Sequence, residues 1–298
     1  MYEKKVIAFI DILGFKNMVQ SPKSKKNLDE ILDILEDFSL KKHYPDSFHG
    51  LCPNSQKEKD DFDIKITQIS DSLIISSEFT MAGIINLIYF SHRSLFRLLS
   101  RGLLCRGYIT IGEVYHEKGQ IIGEGYIKAY EYESKKNIIF SVLDGENVEK
   151  GTPFVEIDKE IVDYIVASND ECVKEMLNRL TKTINGKTAL YPLQILAQGS
   201  TPEIFDSNID ILEKFKKLIE KHTDNQDEKI EVKSKQHLKI IDDLIKENIQ
   251  AKRKYDLLNK PYPLRTVQDL LQEREHFRIN KLKIQLHQPL TGKKSNNG

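Results

Sequence analysis

The first pattern along the chain is an apolar run, VIAFIDILGF (6–15), interrupted only by Asp11 and closing on a Gly-containing turn. Continuous apolar character over that length predicts a strand buried on both faces, running into a tight turn. NLDEILDILEDFSLKK (27–42) follows, with Leu28, Ile31, Leu32, Leu35 and Phe38 at helical spacing, so an amphipathic helix is expected there. Residues 43–62 carry Pro, Gly, Ser and Asn without a period and read as a surface loop. FDIKITQISDSLIISS (62–77) reads as two short strands with a turn between Gln68 and Asp71. Ile64 and Ile66 are even, whereas Ile69, Leu73 and Ile75 are odd, so the phase slips at that turn. Thr80 caps a second helix running to about Arg101, its buried side formed by Ile84, Ile85, Leu87, Ile88, Leu95 and Leu98 and its end set by Gly102. Residues 103–127 form two strands about Glu117-Lys118-Gly119, and a third helix covers roughly 124–134.

The order β, α, β-β, α, β-β, α predicts an α+β domain, ferredoxin-like or palm-like, with an antiparallel-rich sheet and helices packed on one face. IIFSVL and PFVEI within 138–158 read as two more strands, and from about 203 the chain turns to charged helices, 208–222 and 236–258. The division expected is a sheet domain at 1–160, a mainly helical region at 161–291, and a disordered tail at 292–298.

Composition narrows the function classes. Among 298 residues, 45 Lys and Arg balance 45 Asp and Glu, which argues against a surface built to neutralise nucleic-acid phosphates. The longest apolar stretches, such as 83–90, fall short of the roughly 18 residues of a membrane span. MYEKK leads directly into a strand with no cleavage signal, and three cysteines (Cys52, Cys105, Cys172) make no disulfide framework, so a cytoplasmic protein is expected.

Two carboxylates stand out. Asp11 interrupts an apolar strand, where an unpaired charge is costly; it serves as a strand-end cap, as the partner in an internal hydrogen bond to the turn, or as a cation ligand. Asp71 shares the parity of Leu73 and Ile75, which places it on the apolar side of its hairpin or at the lip, although turn aspartates are commonly solvated turn formers. Brought together, the two would repel unless a divalent cation lay between them, and oxygen-only ligation suits Mg²⁺ or Mn²⁺. The turn after Asp11, with Gly14, Phe15 and Lys16, offers backbone N–H groups suited to phosphate oxygens. No P-loop occurs: Gly186-Lys187-Thr188 has Thr181 where the first Gly would stand. His43, His49 and Cys52 match no standard zinc spacing, and Lys252-Arg253-Lys254 reads as a solvated run.

AFIDILGF (8–15), KITQISDSLIIS (65–76), RGYITIG (106–112) and GEGYIKAYEYES (123–134) together resemble the catalytic domain of class III nucleotidyl cyclases, over roughly residues 5–145. The resemblance implies that Asp11, the Ile12 carbonyl and Asp71 hold two divalent cations, Mn²⁺ or Mg²⁺. It implies a nucleoside triphosphate substrate and a head-to-tail homodimer. The family's third-helix Asn and Arg fall at Ile127 and Glu131, and its base-reading pair at Thr67 and Gln120, matching neither the adenine-reading nor the guanine-reading pattern. The chain is therefore more similar to the pyrimidine cyclases of Pycsar antiphage defense, which make cyclic UMP or cyclic CMP for a separate effector. With the family Arg replaced, Arg106 is the first candidate to face the α-phosphate and Lys128 the second, the alternative for Arg106 being a salt bridge at a strand edge. A catalytically silent cyclase-like module and an atypical purine cyclase are the rival readings.

Overall fold

The computed structural model describes residues 1–20, 28–39, 52–53, 63–134, 140–143, 153–197, 199–223 and 228–259. The expected tail at 292–298, most of the loop at 43–62, and residues 138–139 of IIFSVL lie outside them; residues 140–143 form no strand. The chain divides into two units, Met1–Lys252 and Arg253–Gly298, and the description below concerns the first.

Among the described residues the fold is α+β, built on a mixed, mostly antiparallel sheet of eight strands. The strands are β1 (Glu3–Ile12), β2 (Lys65–Ile69), β3 (Ser72–Glu78), β4 (Cys105–Glu117), β5 (Gln120–Ile122), β6 (Val155–Ile157), β7 (Thr181–Ile184) and β8 (Lys187–Leu190). They lie in the order β2-β3-β1-β4-β6-β8-β7, with β5 paired to the far end of β4; only β4 and β6 run parallel. The central position of β1 explains its apolar run, since both faces are covered. Val6, Ala8, Ile10 and Ile12 join the main core with α2 (Leu28–Ser39) and α3 (Met81–Leu99). Ile7 and Phe9 join a smaller cluster with Ile74, Val114 and Ala129 of α4 (Glu124–Ser134). Helices thus pack on both faces, not on one as expected, because the odd positions of β1 are as apolar as the even ones.

Thr80 caps α3 by accepting from the Gly83 N–H, as the sequence indicates. The β2–β3 turn has two residues, Ser70 and Asp71, so Ile69 pairs with Ser72 and Thr67 with Ile74. That register places Ile69 on the α4 face, 54 % exposed, and separates it from Leu73 and Ile75, with which its parity grouped it. α4 approaches β4 through two glycines: a Cβ on Gly112 would lie 2.5 Å from the Gly125 Cα.

The sheet does not stop at residue 160. β7 and β8 form a hairpin about Asn185-Gly186, both at positive φ, and β8 pairs with β6. α5 (Lys159–Val166) and α6 (Glu171–Leu180) precede it, and a short 3₁₀ helix (Pro192–Ala197) follows. α7 (Pro202–Thr223) and α8 (Glu228–Leu258) are amphipathic: Leu212, Phe215 and Ile219 of α7 meet Ile240, Ile241 and Leu244 of α8 in a second core with Phe154 and Tyr191. Cys52, expected to be a reduced thiol, is joined to Cys172 of α6 in a disulfide, which leaves it unavailable to a zinc site; His43 and His49 lie outside the described residues. Cys105 is free and buried. Among the described residues, no helix is long and apolar enough to cross a membrane.

Candidate functional site

Cross-strand register builds the site. Ile69, Ser72, Asp11 and Arg106 stand side by side across β2, β3, β1 and β4, all on the α4 face. Asp11 is odd like Ile7 and Phe9, so it ends that apolar column where α4 ceases to cover it. The Asp71 carbonyl accepts from the Ile12 N–H at 3.1 Å, tying the β2–β3 turn to the end of β1. Ser70, the residue before Asp71, holds a left-handed φ of 55°, a conformation that costs a non-glycine residue roughly 1 kcal/mol. The two carboxylates read from the sequence are therefore neighbours, at adjoining strand ends.

Their electrostatics are unfavourable. Burial, then the charges of Glu133 and Asp71, push the Asp11 carboxyl up to about 7; Arg106 and the Ser72 hydroxyl, which donates at 3.2 Å, act in the opposite direction. Arg106 approaches Asp11 at 3.6 Å and ion-pairs through Nε with Glu133, a carboxylate only 4 % exposed. Three carboxylates against one guanidinium leave two negative charges on the cluster when all are ionised, the complement of one divalent cation. The donors are carboxylate oxygens, the chemistry of a Mg²⁺ or Mn²⁺ site. Asp11 and Asp71, with the Ile12 carbonyl, are the groups that could hold such an ion. The described residues contain no cluster of three or more His, Cys, Asp or Glu side chains disposed to hold a metal, so protein ligands alone do not complete a coordination shell.

Glu133 was not among the residues singled out in the sequence. The signal was present: Gly125, Ala129 and Glu133 recur at every fourth position and are the buried residues of α4. Ile127 and Glu131, the positions compared with the family's Asn and Arg, lie off that line; Ile127 is 54 % exposed.

The remaining predicted residues fall in three places. Gly14 (φ 77°), Phe15 and Lys16 form the turn out of β1 and begin the short α1 (Phe15–Gln20); Phe15 is buried and Lys16 exposed. Thr67 sits on the α4 face, two positions before Ile69, beneath the β4–β5 hairpin. Its Oγ1 lies 2.8 Å from His116 Nε2, and the other ring nitrogen lies 2.8 Å from the buried Ser76 hydroxyl. Burial, reinforced by the charge of Lys5, holds His116 down to about 4, so the ring is neutral. Gln120 is exposed on β5, opposite Glu117 in that hairpin. Lys128 is committed elsewhere: it pairs with Asp158 at 2.6 Å, and Asp158 also accepts from Thr110 at 2.8 Å. Arg106, the other proposed cation, is inside the site but on an interior strand, held between Asp11 and Glu133.

Compared with models of known families and with curated proteins, the chain matches none.

Proposed function

We propose that this chain is a nucleotidyl cyclase of the class III type, converting a pyrimidine ribonucleoside triphosphate, UTP or CTP, to its 3′,5′-cyclic monophosphate and pyrophosphate. The observation that carries this reading is the desolvated Asp11 carboxyl, crowded by Asp71 and Glu133 at one end of the sheet. An arrangement so short of positive charge is costly for the fold alone and suits a site that receives cations with its substrate.

In this reading Asp11, Asp71 and the Ile12 carbonyl hold two divalent cations. Those ions, when bound, acidify the ribose 3′-hydroxyl and neutralise charge on the triphosphate. The chain's own part is placement. Ser72 and Arg106 fix the Asp11 carboxylate, Glu133 fixes Arg106, and the amides of the Gly14–Lys16 turn receive phosphate oxygens. Thr67, oriented by His116, faces the base together with Gln120. Exposed Ile122, Ile127 and Tyr130 at the hairpin and on α4 supply apolar area for a homodimer contact. The product would act on a separate effector in antiphage defense, as in the pyrimidine cyclases the sequence resembles.

A second reading, a cyclase-like module without catalysis, is favoured by one observation: Arg106 and Lys128 are both engaged by carboxylates, leaving neither aimed at an α-phosphate. Incubation of the purified protein with each of the four ribonucleoside triphosphates and Mn²⁺, with products identified by mass spectrometry, separates the readings. Cyclic UMP or cyclic CMP, lost in Asp71→Ala, supports the proposal. Cyclic AMP or cyclic GMP assigns an atypical purine cyclase, and no cyclic product assigns the silent module.

A further inference from the structure

α3 is buried along most of its length, yet one stripe of it is basic and aromatic. Tyr89, Arg93, Phe96, Arg97 and Ser100 recur at helical spacing and line a cavity of about 460 Å³ closed by Leu180 at the end of α6. That volume lies within the range of small-molecule sites. The cavity belongs to the outer side of α3, away from the sheet-facing Ile84, Ile88 and Leu95 that anchor the helix.

Its floor holds His92, 7 % exposed. The ring donates to the Tyr191 carbonyl, and its Nε2 has no partner, so the donating atom is Nδ1 and Nε2 carries a lone pair. Burial keeps the ring neutral, holding it down to about 4. A buried acceptor that no protein donor reaches rewards a ligand that brings an N–H. Arg93 lies over the Tyr89 ring and donates to its hydroxyl at 2.8 Å, with no carboxylate partner among the described residues. Arg97 reaches Asp37 only at 3.8 Å, while Arg101 takes Asp37 closely. Two guanidinium groups at the rim, a flat aromatic wall and one buried acceptor call for an anion joined to a planar ring that carries an N–H.

We propose that this cavity is a nucleoside monophosphate site, with the phosphate on Arg93 and Arg97, the base against Phe96 and Tyr89, and a base N–H donated to His92 Nε2. It is separate from the Asp11 cluster and does not depend on the cyclase reading.

Calorimetric titration of the full chain with AMP, CMP, GMP and UMP tests it, with phenyl phosphate as an anion whose ring has no N–H. At least one nucleotide is expected to bind with a Kd below about 1 mM, and phenyl phosphate at least about tenfold more weakly. Arg93→Gln and His92→Phe are each expected to weaken the nucleotide about tenfold or more, the worth of one strong hydrogen bond. Arg93 is partly exposed and anchors no core contact, so its variant decides the matter if His92→Phe does not fold. Absence of binding by all four nucleotides, equal binding of phenyl phosphate, or indifference to Arg93→Gln overturns the assignment.

Discussion

Replacing Asp11 by Asn should make the metal-free protein more stable as the pH rises, while removing its response to Mn²⁺. The folded carboxyl titrates near 7, against about 3.9 in an unfolded chain. Because the folded value is raised, the native state holds a proton that the unfolded state has released between those two pH values. Wild-type stability is therefore lost as the pH climbs from about 4 through 7, at up to ~1.4 kcal/mol per unit. Three units set a ceiling of about 4 kcal/mol; Asp11 retains 19 % side-chain exposure, so solvent reduces the expected cost to roughly 1–3 kcal/mol at pH 8. Asn keeps the shape, can still accept from Ser72, and relieves the repulsion from Asp71 and Glu133, whereas Arg106 keeps Glu133. For a unit of this size the gain corresponds to a Tm roughly 3–10 °C above wild type at pH 8, shrinking towards zero at pH 4. The assay is thermal unfolding of both proteins in EDTA from pH 4 to 8. His92, His116 and His237 are all held well below their ordinary value by burial, so both proteins weaken as the pH falls below about 6.5, and the difference between them cancels that trend. Adding Mn²⁺ at pH 8 should raise the wild-type Tm and leave the variant unmoved. A difference in Tm that is flat with pH, or an Asn variant less stable at pH 8, refutes the argument that Asp11 is an uncompensated charge.

Three further outcomes follow from neighbouring contacts. Glu133→Gln removes the larger of the two carboxylate charges acting on Asp11, so the pH midpoint of Mn²⁺ binding, followed by the Mn²⁺ electron-spin signal, should fall by roughly half a unit to one unit; a midpoint that rises or stays contradicts the assignment. Gly112→Ala drives a methyl group into the Gly125 backbone and should cost about 2–4 kcal/mol in denaturant unfolding, with loss of any cyclase activity because α4 carries Glu133; a neutral result would show that α4 is not docked as described. Reduction of Cys52–Cys172 opens a link across 120 residues and should lower stability by roughly 2–4 kcal/mol, read as a drop in Tm with dithiothreitol that Cys172→Ser reproduces without reductant.

What the sequence displayed and what it hid follow from the range of the interactions involved. The strand at 6–12, the caps at Thr80 and Gly102, and the turns at Ser70-Asp71 and Lys118-Gly119 were legible because each depends on residues a few positions apart. Asp11 was legible as an anomaly because a charge in a continuous apolar strand needs a specific reason. Arg106 was named as a candidate cation, but the salt-bridge alternative could be decided only by knowing that Asp11 pairs across to it and that α4 folds back to bring Glu133, 27 residues downstream, against its guanidinium. The small strands β6, β7 and β8 were missed, wholly or in part, because three- and four-residue strands hold too few side chains to show a period; β6 pairs with neighbours over 30 residues away on both sides, whereas β7 and β8 close a local hairpin that the Asn185-Gly186 turn could have signalled. The disulfide was hidden for the same reason, since spacing says nothing about two cysteines brought together by the packing of α6.

The long-range contacts also decide how the site should be understood. An isolated Asp11–Arg106 pair would be a neutral structural link, with only burial opposing the ionised carboxyl and the guanidinium favouring it. Glu133 changes that balance: it shares the guanidinium, and its own charge adds to that of Asp71 at the Asp11 carboxyl. One cation divided between two acids, with a third acid near them, is a poor way to stabilise a sheet end, since an apolar residue at position 11 would continue the Ile7–Phe9 column without cost. The cluster is thus better explained by what it is deficient in than by what it holds. The deficiency has a sign and a size, two negative charges on oxygen donors beside a turn with a strained Ser70, and those are the terms in which a divalent cation with a phosphate ligand would satisfy it.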